Sequence, residues 1–178
     1  LLKMVNDLLD ISRMELKTVH REIKKVCLHE IISSILELFQ IEISKKNIQI
    51  VFDKDNSAHC INADADEITR LFTNLISNAI KYNRDNGIIN INLYHADNYL
   101  VTEIKDSGIG LKPEEKKKLF SEFFRAKNEL TKTISGTGLG LSIVKRIVDS
   151  YSGKIEVESE FGIGTTFRIF LPSSLKSV

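Results

Sequence analysis

Between residues 64 and 82 one helical spacing repeats apolar side chains at Ile68, Leu71, Phe72, Leu75, Ile76 and Ala79. A stripe of that kind has to be buried against something large, and it fixes which way the rest of the helix points. Asn74, Asn78 and Lys81 fall together on a different face, at i, i+4 and i+7. Asparagine is a poor helix former because its amide competes for backbone partners, so two on one face lower stability unless they serve a purpose. An amide oxygen beside a lysine suits a magnesium–phosphate group, because Mg2+ keeps several waters and takes few protein ligands. Taken alone, this helix is better explained by a solvated polar face.

The rest of the chain alternates between helix and strand. Residues 1 to 19 read as one amphipathic helix, with Leu1, Leu2, Val5, Leu8, Leu9 and Ser12 at heptad-like spacing and Met4 and Ile11 widening the apolar face. One helix cannot bury that stripe, so it is expected to pack on another chain or on residues outside the sequence. The chain also opens in mid-pattern without an initiator Met and reads as a piece of something longer. A charged connection, residues 20 to 25, leads to a predicted helix over 29–45 with Ile31, Ile32, Ile35, Leu38 and Phe39 inward. Residues 48–52 and 59–62 read as strands, and Asp64 or Asp66 can cap the long helix. After an Asp85-Asn86-Gly87 turn come two paired strands, 88–94 and 99–105. Lys112-Pro113-Glu114-Glu115 starts a helix, residues 127–137 form a polar, mobile loop, and 139–151 form another helix. A hairpin, 154–160 and 165–171, closes the chain around Phe161-Gly162-Ile163-Gly164. This order predicts an α+β fold: a two-layer α/β sandwich with helices on one face of a mixed, largely antiparallel sheet.

Two further motifs stand where chemistry is possible. Asp106-Ser107-Gly108-Ile109-Gly110 directly follows a predicted strand. A carboxylate at a strand end can accept a hydrogen bond from an adenine amino group, and glycines let backbone approach a ligand. A turn with one acid reads the same way. Gly136-Thr137-Gly138-Leu139-Gly140-Leu141 leads into a helix, whose N-terminus offers free amides to phosphate. A loop with an ordinary helix start is the alternative. The segment is neither a P-loop, since no Gly-Lys-Ser/Thr follows, nor a Gly-x-Gly-x-x-Gly dinucleotide fingerprint.

The order of the motifs narrows the choice. Asn-x-x-x-Asn-Ala-x-Lys-Tyr (74–82), Asp-x-Gly-x-Gly (106–110), a Phe-Phe-Arg segment (120–125) and Gly-x-Gly-Leu-Gly-Leu (136–141) resemble the N, G1, F and G2 boxes of sensor histidine kinases. Ser152-Gly153-Lys154-Ile155 through Gly162-Ile163-Gly164-Thr165-Thr166-Phe167 resembles the family's closing hairpin. The resemblance implies the GHKL-type ATP-binding sandwich over residues 26–175. It also implies that residues 1–20 are the end of the second helix of a dimerisation and phosphoacceptor hairpin.

By the same resemblance, Asn78 matches the Mg2+ position, with Asn74 one turn earlier, and Lys81 and Tyr82 match groups near the phosphates. Asp106 matches the acid that reads adenine, with Gly108 and Gly110 beside it, and Thr165 matches a polar contact to the base. Gly136, Gly138 and Gly140, with Thr137, Leu139 and Leu141 between and after them, match the hinge of a lid over the nucleotide. Arg125 matches a lid arginine that stabilises charge on the transferring γ-phosphoryl group. Gyrase-like and chaperone-like relatives carry a water-activating Glu at position 74. An amide cannot take that proton at neutral pH, so Asn74 argues against efficient hydrolysis and for transfer to an imidazole. The implied cofactors are ATP and Mg2+. The implied partners are the protein's own phosphoacceptor domain, a response regulator and, in the full-length protein, a second copy.

The acceptor histidine would lie on a helix preceding this sequence. His29-Glu30 follows the second helix and lacks the Pro that closes the family's His-Glu box, so His29 reads as a helix-start residue. His20, His59 and His95 read as solvated or structural, the run Lys116-Lys117-Lys118 as a solvated helix face, and Phe120, Phe123 and Phe124 as lid packing. The 178 residues suffice for one domain and a little more, and 42% apolar with 28% charged residues is ordinary for a globular protein. A net charge of +1 gives no electrostatic case for nucleic acid or a membrane surface. No apolar run approaches the ~20 residues of a spanning helix. Cys27 and Cys60 have no metal-ligand spacing and read as buried thiols of a cytoplasmic protein.

Overall fold

A computed structural model describes residues 21–52, 59–126 and 136–173. The expected N-terminal helix, His20 and residues 127–135 of the loop expected over 127–137 lie outside the described residues. The elements in chain order are β1 Ile23–Cys27, α1 Leu28–Leu38, α2 Gln40–Lys45, β2 Gln49–Phe52, β3 Cys60–Asp64 and α3 Ala65–Lys81. They continue with β4 Ile88–Ala96, β5 Tyr99–Asp106, α4 Pro113–Lys116, α5 Gly140–Ser150, β6 Lys154–Glu160 and β7 Gly164–Pro172. One sheet has the order β2-β4-β5-β7-β6, and β1 pairs with β3 in a separate ribbon. The β2–β4 pair is parallel and the other pairs are antiparallel, which gives the mixed, largely antiparallel sheet expected.

α3 lies between α1 and α5 and against the sheet. Its stripe is buried as the spacing predicts: Ile68, Leu71, Phe72, Leu75, Ile76 and Ala79 meet Ile32 and Ile35 of α1 and Ile143, Val144 and Ile147 of α5 in one core. Ile89, Ile91, Leu100, Ile104, Ile169 and Leu171 supply the sheet side. Asp64 is the cap: its Oδ1 accepts from the amides of Asp66 at 3.0 Å and Glu67 at 3.2 Å, satisfying two donors at the helix start.

The structure corrects the sequence reading in three places. The helix predicted over 29–45 is two helices broken at Phe39, and the break leaves Leu38 71% exposed instead of inward. Part of the connection expected over residues 20 to 25 is strand β1; it has only Val26 buried, so pairing with β3 rather than side-chain burial makes it a strand. Cys27 and Cys60 are not free thiols: the β1–β3 register sets them opposite each other and their sulfurs are bonded. Local pattern marks both segments as apolar but carries no register between strands 33 residues apart. A bonded cysteine pair gives no support to a reducing compartment.

Phe72 is fully buried at the centre of α3. Phe72→Ala is expected to lower unfolding free energy by about 3–5 kcal/mol in urea titration; a loss under about 1 kcal/mol would contradict this core assignment.

Candidate functional site

With its apolar stripe held in the core, α3 turns its other face to a cavity of about 990 Å³, within the usual range for small-molecule sites. Asn74, Asn78 and Lys81 line it, and Tyr82, the helix C-cap, continues the wall. Asp106 and Gly110 enter from the end of β5 and the turn after it, and Thr165 from β7. Arg125 with Phe124, and Gly136, Thr137, Gly138, Gly140 and Leu141, line the same space. Segments far apart in the chain thus converge as the motif order implies.

Two expected residues do not face the cavity. Leu139 is fully buried, and its carbonyl takes the Ser142 hydroxyl at 2.8 Å. Gly108 is not among the lining residues and donates its backbone N–H to Asp106 Oδ1 at 2.8 Å. Thr165 N donates to the same oxygen at 3.3 Å, because the β5–β7 register places Thr165 opposite Asp106. Among the described residues Oδ2 takes no bond. Asp106 as a whole is only 8% exposed. Burial pushes its pKa up to about 6, against the downward pull of the Gly108 and Thr165 amides and the Arg84 charge. Tyr82 also has a raised pKa, from burial, with the Arg125 charge acting the other way.

The glycine segment is set by close approaches. Gly138 has φ +77°, and a side chain there would begin 2.8 Å from the Phe123 backbone, so the segment docks directly on the Phe-Phe-Arg turn. Phe123 itself has φ +60° and is 52% exposed, so it is not the packing residue expected; Phe120 packs on the core and Phe124 lines the cavity. Gly140 opens α5 where a Cβ would stand 2.6 Å from Asn74 Oδ1. The Asn74 amide donates back to the Arg70 carbonyl within α3 at 3.0 Å, while its Oδ1 lies close against the start of α5. Thr137 Oγ1 accepts from Leu139 N at 3.3 Å. Lys81 Nζ lies 5.4 Å from the Tyr82 ring centre.

Sequence reading missed three residues that hold the site. Arg84 donates to the carbonyls of Ser107 at 2.5 Å, Gly108 at 3.0 Å and Gly162 at 2.8 Å, tying the end of α3 to the turn after β5 and the closing hairpin. Buried Asn83 accepts from Arg84 N at 3.0 Å and donates to the Ile88 carbonyl at 3.3 Å. Lys46 reaches the end of α3 and lines the cavity. Asn83 and Arg84 directly follow the Lys-Tyr of the first motif, which is the one local signal they carry; Lys46 carries none. Lys116, Lys117 and Lys118 are exposed as expected, but the helix ends at Lys116 and the other two follow it. Among the described residues no group of three or more His, Cys, Asp or Glu side chains could hold a metal ion. The side-chain amides that line the cavity are those of Asn74 and Asn78.

A folded carboxyl titrating near 6, against 3.8 unperturbed, weighs against the folded state once ionised. The cost is absent below about 3.8, complete above about 6, and roughly 3 kcal/mol at most. Asp106→Asn, which keeps an Oδ1 acceptor, is therefore expected to exceed the parent in stability at pH 8 and to lose that advantage toward pH 4. Urea titrations at both pH values check this, and a variant no more stable than the parent at pH 8 would contradict it.

Comparison with known proteins gives the same answer over most of the chain. The model of the histidine kinase-, DNA gyrase B- and HSP90-like ATPase family matches residues 63–175. Drug sensory protein A of Synechocystis is 34% identical over 175 residues, covering 93% of this chain and 26% of that protein. Sensor histidine kinase WalK of Bacillus subtilis is 30% identical over 174 residues, covering 97% of this chain and 28% of that protein. The chain thus spans about a quarter of the length of these relatives. Among solved structures, the catalytic domain of histidine kinase ThkA superposes with a TM-score of 0.74 at 34% identity, over 86% of this chain and 97% of that one. ThkA in complex with the response regulator TrrA matches with a TM-score of 0.69 at 30% identity, over 95% of this chain and 49% of that one.

Proposed function

We propose a phosphotransfer role for this chain, which belongs to the histidine kinase-, DNA gyrase B- and HSP90-like ATPase family and carries the histidine-kinase form of its catalytic, ATP-binding domain. The reading is that residues 26–175 deliver the γ-phosphoryl group of ATP to a histidine on a phosphoacceptor helix, with residues 1–20 as the end of the hairpin that bears it. The observation that carries it is the single cavity shared by Asn78, Asp106 and Gly138.

Asp106 Oδ2 would accept the adenine amino hydrogen while Oδ1 stays on the Gly108 and Thr165 amides. Thr165 and Gly110 would border the base. Asn78 would hold Mg2+ by its amide oxygen, the metal supplying charge neutralisation on the phosphate oxygens. Lys81, Tyr82 and the segment from Gly136 to Leu141 would line the phosphates, with backbone amides at the start of α5 turned to the anion. Arg125 would stabilise charge on the transferring group. The acceptor imidazole nitrogen would attack the γ-phosphorus as its bond to the β–γ bridging oxygen breaks and ADP leaves. Asn74 carries no base for water, which favours transfer over hydrolysis; its contact with Gly140 suits a residue that sets the position of the phosphate-facing segment.

Two-component signalling with a response regulator, and a dimer formed through the phosphoacceptor hairpin, follow from this reading, as does a cytoplasmic site, where ATP is available. Among the described residues no helix is long and apolar enough to cross a membrane.

The direct test adds the purified phosphoacceptor domain and labelled ATP to this chain. Phosphohistidine on the added domain is expected; ATP bound without transfer would overturn the kinase reading. In calorimetry, Asp106→Asn is expected to weaken ATP roughly 100-fold, since an amide donor would meet the adenine amino group. Unchanged affinity would contradict the adenine role. Asn78→Ala should remove the Mg2+ dependence of ATP affinity, and a surviving dependence would place the metal elsewhere.

A further inference from the structure

A helix C-terminus carries negative partial charge and is a poor neighbour for an anion. α3 ends at Lys81, and Asn78, Lys81 and Tyr82 from that end line the cavity. A triphosphate with its Mg2+ is still net negative, so the ligand proposed above would lie against the wrong pole of this helix. Lys46, the residue after α2, answers that conflict. Its Nζ donates to the carbonyls of Ile80 at 3.0 Å, Lys81 at 2.8 Å and Asn83 at 3.0 Å. An ammonium has three hydrogens, and here they meet the last two carbonyls of α3 and one just beyond its C-cap. The residue is held in place by its own backbone: Lys46 N donates to the Glu42 carbonyl at 3.3 Å, and its carbonyl accepts from Asn86 N at 2.8 Å. Its partly buried side chain lines the same cavity. Taking an ammonium out of water is unfavourable, and a neutral donor such as Gln would offer two N–H groups to these carbonyls without that cost. The use of a charge at this place points to an electrostatic task.

We infer that Lys46 is a positioning residue for the polyphosphate: it fixes the last turn of α3 and cancels the negative pole there, so that an anion can lie beside Asn78 and Lys81. With its ammonium hydrogens on these three carbonyls, it acts through the helix end. The inference rests on the ATP reading and deepens it.

Calorimetry of the full chain with Mg·ATP and with adenosine separates this from simple capping. Lys46→Gln, which keeps neutral donors, and Lys46→Met are each expected to weaken Mg·ATP on the order of tenfold while changing adenosine affinity less than about twofold, because adenosine carries no charge to meet the helix pole. Lys46→Arg should stay within about threefold of the parent for both ligands, since it keeps the charge. Equal losses for adenosine and Mg·ATP, or parental Mg·ATP affinity in Lys46→Gln, would overturn the inference. Should Lys46→Met fail to fold, Lys46→Gln still decides. A parent chain that binds neither ligand would defeat the ATP reading itself, a result distinct from a parent that binds both and a Gln variant that matches it.

Discussion

Burial of one face of α3 is the constraint on which the rest depends. Ile68, Leu71, Phe72, Leu75 and Ile76 are almost wholly removed from solvent between α1, α5 and the sheet, and each such side chain is worth about 1.5–3 kcal/mol of burial. Successive residues on a helix lie about 100° apart, so rotating α3 by one position would expose much of that stripe. The helix therefore has one acceptable rotation, and it turns Asn74, Asn78 and Lys81 to the cavity. The low helix propensity of the two asparagines, a few tenths of a kcal/mol each, is small beside the packing that holds them there.

Both ends of this helix are tied by polar contacts to distant parts of the chain. At its start, Glu67 accepts from Tyr151 Oη at 2.6 Å and from Arg21 Nε at 3.0 Å, and Tyr151 Oη accepts from Asp64 N at 3.0 Å. Burial, then the bond to Glu67, raises the Tyr151 pKa far beyond its ordinary range, so this phenol stays a donor. At its other end, Lys46 and Arg84 collect carbonyls from the helix terminus, the turn after β5 and the closing hairpin. The cavity walls are thus cross-braced by side chains outside the four motifs. Asp106 shows the complementary case: a carboxylate kept buried with two amides on one oxygen, at a cost in stability that a purely structural residue would not require.

What was legible in the sequence is what local spacing encodes. α3, α5, the β4–β5 pair and the closing hairpin follow from periodicity and turn residues, and the ordered motifs marked the cavity residues before any geometry was known. What was not legible depends on partners far along the chain. Strand β1 exists because β3 lies beside it, and the Cys27–Cys60 bond follows from that register. The break at Phe39 interrupts an apolar pattern that continues across it. Lys46 gains its place from a helix end that begins some 34 residues later. Gly108 and Leu139 sit inside motifs yet do not line the cavity, one spending its amide on Asp106 and the other buried in the core, because a motif marks a segment and not the role of each of its residues.

The most direct test of the shared cavity is a backbone-amide NMR titration of the chain with Mg·ATP. Shifts are expected to concentrate at Asn78, Tyr82, Asp106, Gly110, Gly138 and Gly140, while His95 to Tyr99, at the far end of the β4–β5 pair, stay in place. A saturable titration that moves the far end and leaves the cavity amides unchanged would contradict the assignment of this cavity to the nucleotide.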